Sequence, residues 1–154
     1  PVLVETLIDA ARGSVDLAQT TQRQLRKLKE DVHLQTLFTT GDQLSPVVTR
    51  LALKLGLANK HVRVDAIEIA EFPALVQRHN VRAIPAVILN ERYTFTGVME
   101  ESMLVQMLLQ AAEGRPFAGQ PYTGPSIPIT PRPQQQQPAQ PRETRTSGGL
   151  ILPR

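Results

Sequence analysis

The sequence predicts an α/β fold, a mixed sheet flanked by helices, and three observations carry that reading. Ala86 to Leu89, inside the run VRAIPAVILN, has the length and β-branched content of a buried strand. Two earlier segments, VHLQTLF at 32–38 and VRVDAIEI at 62–69, read as further strands. Between and after the strands, apolar residues recur at helical spacing, as in Val47, Val48, Leu51, Ala52 and Leu55.

Taken in order, residues 2–12 place Val2, Leu3, Thr6, Leu7 and Ala10 near helical spacing, and Gly13 can close that helix. Ser14 and Asp16 are N-cap candidates for a second helix over about residues 15–30, with Leu17, Gln24, Leu25 and Leu28 along one side. Its cations Arg23, Arg26, Lys27 and Lys29 lie toward the C-terminal end, where the helix dipole favours them. A solvated face explains them better than a basic partner site. After the strand at 32–38, TTGDQLSP is a turn cluster. Its Ser45-Pro46 pair fits an N-cap followed by the first helical position, because proline there has no orphan N–H to satisfy. In the strand at 62–69, Val62, Val64, Ala66 and Glu68 share one face, with Ile67 and Ile69 on the other. EFPALVQRH at 71–79 is a short helix with Pro73 in its first turn. Pro85 removes a ladder donor from the strand that follows, so it belongs at a strand start, an edge or a bulge. Asn90-Glu91 is a tight turn into a last strand, Tyr93 to Thr96, ending at Gly97. Residues 100–112 form the closing helix, with Met103, Leu104, Met107, Leu108 and Ala111 inward and Gly114 at its end.

Composition narrows what such a chain does. Of its 154 residues, 41% are hydrophobic and only 4% aromatic, with no Trp, so the core is aliphatic. The net charge of +3 is unevenly spread: residues 1–114 carry 12 Lys/Arg against 13 Asp/Glu, and residues 115–154 carry five Arg against one Glu. A near-neutral body argues against nucleic acid as a partner, since phosphate contacts need a basic face. There is no cysteine, which excludes disulfide staples, Cys-ligated zinc and thiol nucleophiles. The three histidines are not spaced as ligands on a shared helix face, so neither a metal nor a cofactor is expected. No apolar run reaches the roughly 18–20 residues needed to span a bilayer. The first residues, PVLVETLIDAARG, lack the basic start of a signal peptide, so the cytoplasm is the expected compartment.

Residues 115–154 hold nine of the thirteen prolines and four consecutive glutamines at 134–137. They read as a disordered or extended linker. The last residues, SGGLILPR, turn apolar again at Leu150, Ile151 and Leu152. The chain thus divides into N-terminal helices over 1–30, a central domain over 31–114 and a tail over 115–154.

Set aside the first helix, and the order helix–β–α–β–α–β–β–α is that of the thioredoxin fold. AIPAVILN resembles the thioredoxin and glutaredoxin strand that begins on a cis proline. LRKLKEDVHLQTLFTT resembles the entry helix and first strand of the glutaredoxin-like protein disulfide oxidoreductases, and of the N-terminal domain of alkyl hydroperoxide reductase flavoproteins. YTFTGVMEESMLVQML resembles their last strand, glycine and closing helix. The resemblance covers residues 20–113 approximately and implies a mixed four-stranded sheet, a cis Ile84–Pro85 bond and an active site at the helix after the first strand. Where redox-active members carry Cys-x-x-Cys, this chain reads Asp42-Gln43-Leu44-Ser45. Disulfide exchange needs a thiolate, so that activity is excluded for this chain.

Four residues are therefore candidate binding positions: Asp42, Ser45, Ile84 and Pro85. Ser45 reads first as an N-cap, second as a hydroxyl for a bound peptide or an external thiol such as glutathione, and last as a nucleophile awaiting a base from His33, His61 or His79. Asp42 reads first as a turn or cap residue whose charge opposes an incoming thiolate, and second as a general base, for which the sequence shows no partner. The chain ahead of Pro85 leaves backbone groups free to pair with an extended peptide. No catalytic residue is assigned. The expected function is a redox-inactive binding or adaptor module whose partner is another protein. The competing class is a thiol-dependent enzyme using an external thiol near Ser45 and Pro85. The Gly148–Leu152 segment resembles the cargo-loading peptides that dock enzymes inside encapsulin shells, which makes Leu150, Ile151 and Leu152 the tail's docking residues. A homodimer through the N-terminal helices is a further expectation.

Overall fold

The apolar run around Pro85 splits into two strands that belong to different sheets, and this division organises the molecule. The computed structural model describes residues 2–117 and 124–129. In chain order the elements are α1 Val2–Arg12, α2 Gln19–Leu25, β1 Val32–Phe38, α3 Ser45–Ala58, β2 Val62–Glu68, α4 Pro73–Arg78, β3 Ala83–Ile84, β4 Ala86–Leu89, β5 Tyr93–Thr96, α5 Glu101–Ala112 and β6 Ile127–Pro128. The four-stranded sheet has the order β2–β1–β4–β5, and β3 pairs with β6 in a separate two-stranded ladder.

β1 runs parallel to β2 from Val32↔Val62 to Phe38↔Glu68, the crossover between them being α3. β4 runs antiparallel to β1, with Leu34↔Leu89 and Leu37↔Ala86, and β5 returns antiparallel to β4. The period of two then decides which residues meet which layer. On one face Val32, Leu34, Val87, Leu89 and Phe95 pack with Val48, Ala52 and Leu55 of α3 and Leu104, Val105 and Leu108 of α5. On the other, Leu37, Val81, Ala86 and Ile88 form a smaller cluster, covered by Ile69, Leu75, Val76 and Ile129. All four residues of β4 are buried, as befits a strand with neighbours on both edges and layers on both faces.

The connection from β4 to β5 is short. Asn90 and Glu91 both take left-handed φ values, 51° and 53°, and the Arg92 N–H donates to the Leu89 carbonyl at 3.0 Å. The Asn90 carboxamide oxygen accepts the His33 N–H at 2.8 Å, and the Asn90 N–H donates to the His33 carbonyl at 2.8 Å, so the turn is tied to β1.

α2 and the residues after α5 differ from the sequence reading. α2 covers only residues 19–25, because Ser14 and Asp16 do not cap it. The Ala18 N–H is instead taken by the Glu101 carboxylate at 2.9 Å, and Asn59 donates to the Leu25 carbonyl at 2.6 Å where the helix ends. Arg26, Lys27 and Lys29 lie beyond it, and the chain turns there so that Leu28 reaches the core. α1 rests on α3 by its polar side. Arg50 donates to Thr6 at 3.0 Å and to Asp9 at 2.5 Å and pairs with Glu5 at 3.2 Å, while Leu3, Val4, Leu7 and Ile8 are exposed. The residues after the closing helix also return to the body: Phe117 packs edge-on against Tyr93 and Phe95, with centroids 4.6 and 4.9 Å away. Residues 124–129 run extended alongside β3 and the exit of β5. Among the described residues no helix is long and apolar enough to cross a membrane.

Candidate functional site

Two pieces of chain meet the same end of the sheet. In the β1–β4 register Ala86 lies opposite Leu37, so Pro85 falls beside Phe38, where β1 ends and the loop to α3 begins. The Ile84–Pro85 bond is cis, and both residues are buried. Opposite Pro85 in the β4–β5 register is Gly97, whose N–H donates to the Pro85 carbonyl at 2.7 Å.

The loop over residues 39–44 is held by carboxylates. Asp42 Oδ1 accepts the Ser45 N–H at 2.6 Å and the Leu44 N–H at 2.8 Å, and Oδ2 accepts the Thr39 N–H at 3.4 Å. Asp42 is thus the group that satisfies the orphan amides at the start of α3. Ser45, expected to be the N-cap, is instead the first residue of the helix. Its hydroxyl is buried beside the Asp42 carboxylate and makes no hydrogen bond of strict geometry. One turn on, the hydroxyls of Thr49 and Thr36 meet at 3.2 Å in the interior and join α3 to β1.

Glu68, at the end of β2, plays a part that the sequence did not signal. Its Oε1 accepts the Thr39 hydroxyl at 3.0 Å and the Thr40 N–H at 3.2 Å, and its Oε2 accepts the Ala70 N–H at 2.7 Å and the Glu71 N–H at 3.3 Å. One carboxylate therefore ties the loop after β1 to the loop after β2. An acid at a strand end has many uses, and only the return of residues 69–71 makes this one.

Both carboxyls titrate below their ordinary values. For Asp42, burial alone raises the pKa, but the Ser45 hydroxyl and the amides of Ser45, Leu44 and Thr39 together outweigh it. For Glu68, desolvation is likewise overcome by the Thr40 and Ala70 amides, the Thr39 hydroxyl and the Glu71 amide. A folded pKa below the ordinary 3.8 means that the Asp42 contribution to stability is complete above that value and is lost as pH falls through the depressed one. Asp42→Asn is accordingly expected to flatten the acid side of the stability profile. Urea midpoints at about pH 7 and about pH 3 test this, and an equal acid loss in both proteins would refute the assignment.

No base attends Ser45 from the first two candidate histidines. His33 Nε2 is 2.6 Å from Asp65 and His61 Nδ1 is 2.8 Å from Asp31, both at the opposite end of the sheet, where β1 and β2 begin. Among the described residues no group of three or more His, Cys, Asp or Glu side chains is placed to hold a metal ion.

The edge of β3 carries the feature that sequence reasoning missed. Ala83 lies opposite Pro128 and Ile84 opposite Ile127 in an antiparallel ladder. The Ile129 N–H donates to the Arg82 carbonyl at 2.8 Å, the Gly124 N–H to the Thr96 carbonyl at 2.8 Å, and the Val98 N–H to the Pro125 carbonyl at 2.9 Å. Residues 124–129 thus run from the exit of β5 past Pro85 to Arg82. The expectation of a tail that leaves the body at 115 does not extend to these residues. The docking residues Leu150, Ile151 and Leu152 lie outside the described residues.

Residues 43–109 match the sequence model of the Thioredoxin domain family. Among solved structures, a protein disulfide oxidoreductase from Aeropyrum pernix K1 is 27% identical, with a TM-score of 0.67 over 76% of this chain and 53% of that one. An alkylhydroperoxide reductase from Enterococcus faecalis, as its C503A mutant, is 18% identical with a TM-score of 0.61, over 70% of this chain and 53% of that one. The NTD_N/C domain of the same reductase gives 17% identity and a TM-score of 0.61, again over 70% and 53%. This chain spans about half the length of these structures. No curated protein matches it. The fold is the thioredoxin fold, here in a chain without cysteine.

Proposed function

We propose that this thioredoxin-like domain without cysteine is a protein-binding module that holds an extended polypeptide strand along Arg82 to Ile84, beside Pro85. The observation that carries the reading is the ladder at β3, an edge whose backbone groups already receive an extended segment, residues 127–128. Strand addition needs only main-chain donors and acceptors from the ligand, with side-chain selectivity added by the surface beneath. Here that surface is the cluster of Leu37, Val81, Ala86 and Ile88, on which Ile129 rests.

Thiol–disulfide exchange is not open to this chain, which supplies no thiol. The thiol-dependent alternative is weakened by Asp42. Its carboxylate already occupies the amides at the start of α3, so a bound thiolate would meet a negative charge where a helix N-terminus otherwise favours an anion. Leu150, Ile151 and Leu152 supply a second docking element in this reading, on sequence grounds, with a protein surface such as an encapsulin-like shell as its partner.

The test is a titration of the isotope-labelled full chain with an excess of an unlabelled octapeptide that alternates valine and threonine. Amide shifts at Arg82, Ala83, Ile84 and Thr96 are the expected result. Shifts confined to another surface would overturn the reading. An insulin-reduction assay without added thiol should stay blank.

A further inference from the structure

The ladder at β3 is filled by the chain itself, and its details say what would fill it otherwise. Ile129 donates to Arg82, so the alternation of antiparallel pairs makes Ile84↔Ile127 the next hydrogen-bonded pair and Ala83↔Pro128 the intervening non-bonded one. An N–H at the non-bonded position would point away from β3. Pro128 has none, and the inner ladder loses nothing by it. The outer edge of β6 does lose a donor there, so a further strand cannot simply add outside it. A strand that bonds the groups β3 turns toward β6, at Arg82 and Ile84, must take the place of residues 127–129.

The segment is held in a way that permits exchange. Ile127 is 39% exposed and Pro128 is exposed, and of the three residues Ile129 packs on the apolar cluster. Its main anchors are backbone hydrogen bonds, which any extended peptide can supply.

We infer that residues 124–129 are a built-in competitor for the binding edge, and that the external ligand is an extended aliphatic–Pro–aliphatic segment like Ile127-Pro128-Ile129. The inference rests on the reading of β3 as a strand-binding edge. The two aliphatic residues of the ligand supply the N–H groups at the bonded positions, and the second covers Leu37, Val81, Ala86 and Ile88. The middle residue needs no donor, which admits proline and its preset extended φ. Tethering keeps the internal copy at high effective concentration, so the free edge is a minor species and the apparent affinity for an external strand falls in proportion.

The experiment uses the full chain and its Ile127→Pro variant, in which the ladder loses the 127 donor and no groove residue changes. The probe is a fluorescein-labelled octapeptide with the sequence of residues 123–130, TGPSIPIT, read by anisotropy. The control probe replaces both isoleucines by aspartate. The variant is expected to bind the probe at least about tenfold more tightly than the unaltered chain, with no binding of the control. Equal binding to the two chains would overturn the competitor while leaving the strand-binding edge intact. No binding by a folded variant, with the Ile84 amide exchanging freely, would overturn the edge itself. Ile129→Asp, which removes the apolar anchor on the outside of the cluster, repeats the comparison should Ile127→Pro not fold.

Discussion

Ile88→Ala is expected to lower the unfolding free energy by about 2–5 kcal/mol, the range for deleting a large aliphatic side chain from a packed interior. Ile88 is fully buried, on the central strand β4, within the smaller of the two apolar clusters. That cluster has few members and a thin cover, chiefly Leu75 and Val76 of α4, Ile69 and Ile129. Its neighbours on β1 and β5 hold the backbone in place, so the space left by the missing atoms cannot close easily. A domain of this size is stable by about 5–15 kcal/mol, so the change removes a large part of the whole. Val64→Ala is the comparison: Val64 is half-buried on the edge strand β2, and its loss should cost about 1 kcal/mol. Urea denaturation at constant slope measures both. An Ile88→Ala midpoint no lower than that of Val64→Ala would show that this face of the sheet carries little of the stability.

Gly97→Ala should cost about 1–3 kcal/mol and should loosen residues 124–129 at the same time. Gly97 has a φ of 104°, a conformation that L side chains rarely adopt. A Cβ built there also falls 2.5 Å from the Gly124 N and Cα, which are backbone atoms and cannot rotate aside. Strain within β5 alone would change stability and leave the neighbouring segment in place. The close approach predicts more, namely faster hydrogen exchange at the Gly124 and Ile129 amides, which bond to Thr96 and Arg82. Full protection of both amides in the variant would refute that part.

The core was legible from its apolar patterns. Alternation located β1 and β2, the length and β-branched content of an apolar run located β4, and the i, i+1, i+4, i+5, i+8 pattern located α3 and α5. The site was half legible. Ser45-Pro46 matched a helix start, yet two eligible oxygens stood three residues apart and only the path of the loop let Asp42 take the amides. Glu68 was opaque for a similar reason, because its four donors come from two loops distant in sequence. β6 was hidden by its composition. Proline-rich sequence has little to bury, and composition therefore argued against order. A ladder asks for donors at alternate residues only, and Ile127 and Ile129 supply them around a silent Pro128.

The turn at Asn90 and Glu91 acts as a ruler for a place it does not touch. Leu89 and Tyr93 are opposite one another across the three residues 90–92, and this spacing is carried unchanged along the hairpin to Pro85 and Gly97. With the turn held at three residues, one residue inserted there would bring Thr96 opposite Pro85 and reverse the faces of β5, turning Phe95 away from Phe117. Thr96 brings a side chain to the spot where Gly124 tolerates none. The bond of the turn to His33 pins this ruler to β1, so its zero point is the strand at the centre of the sheet. Loops usually absorb insertions, and one that left this turn its three residues would be carried to the far end of the hairpin.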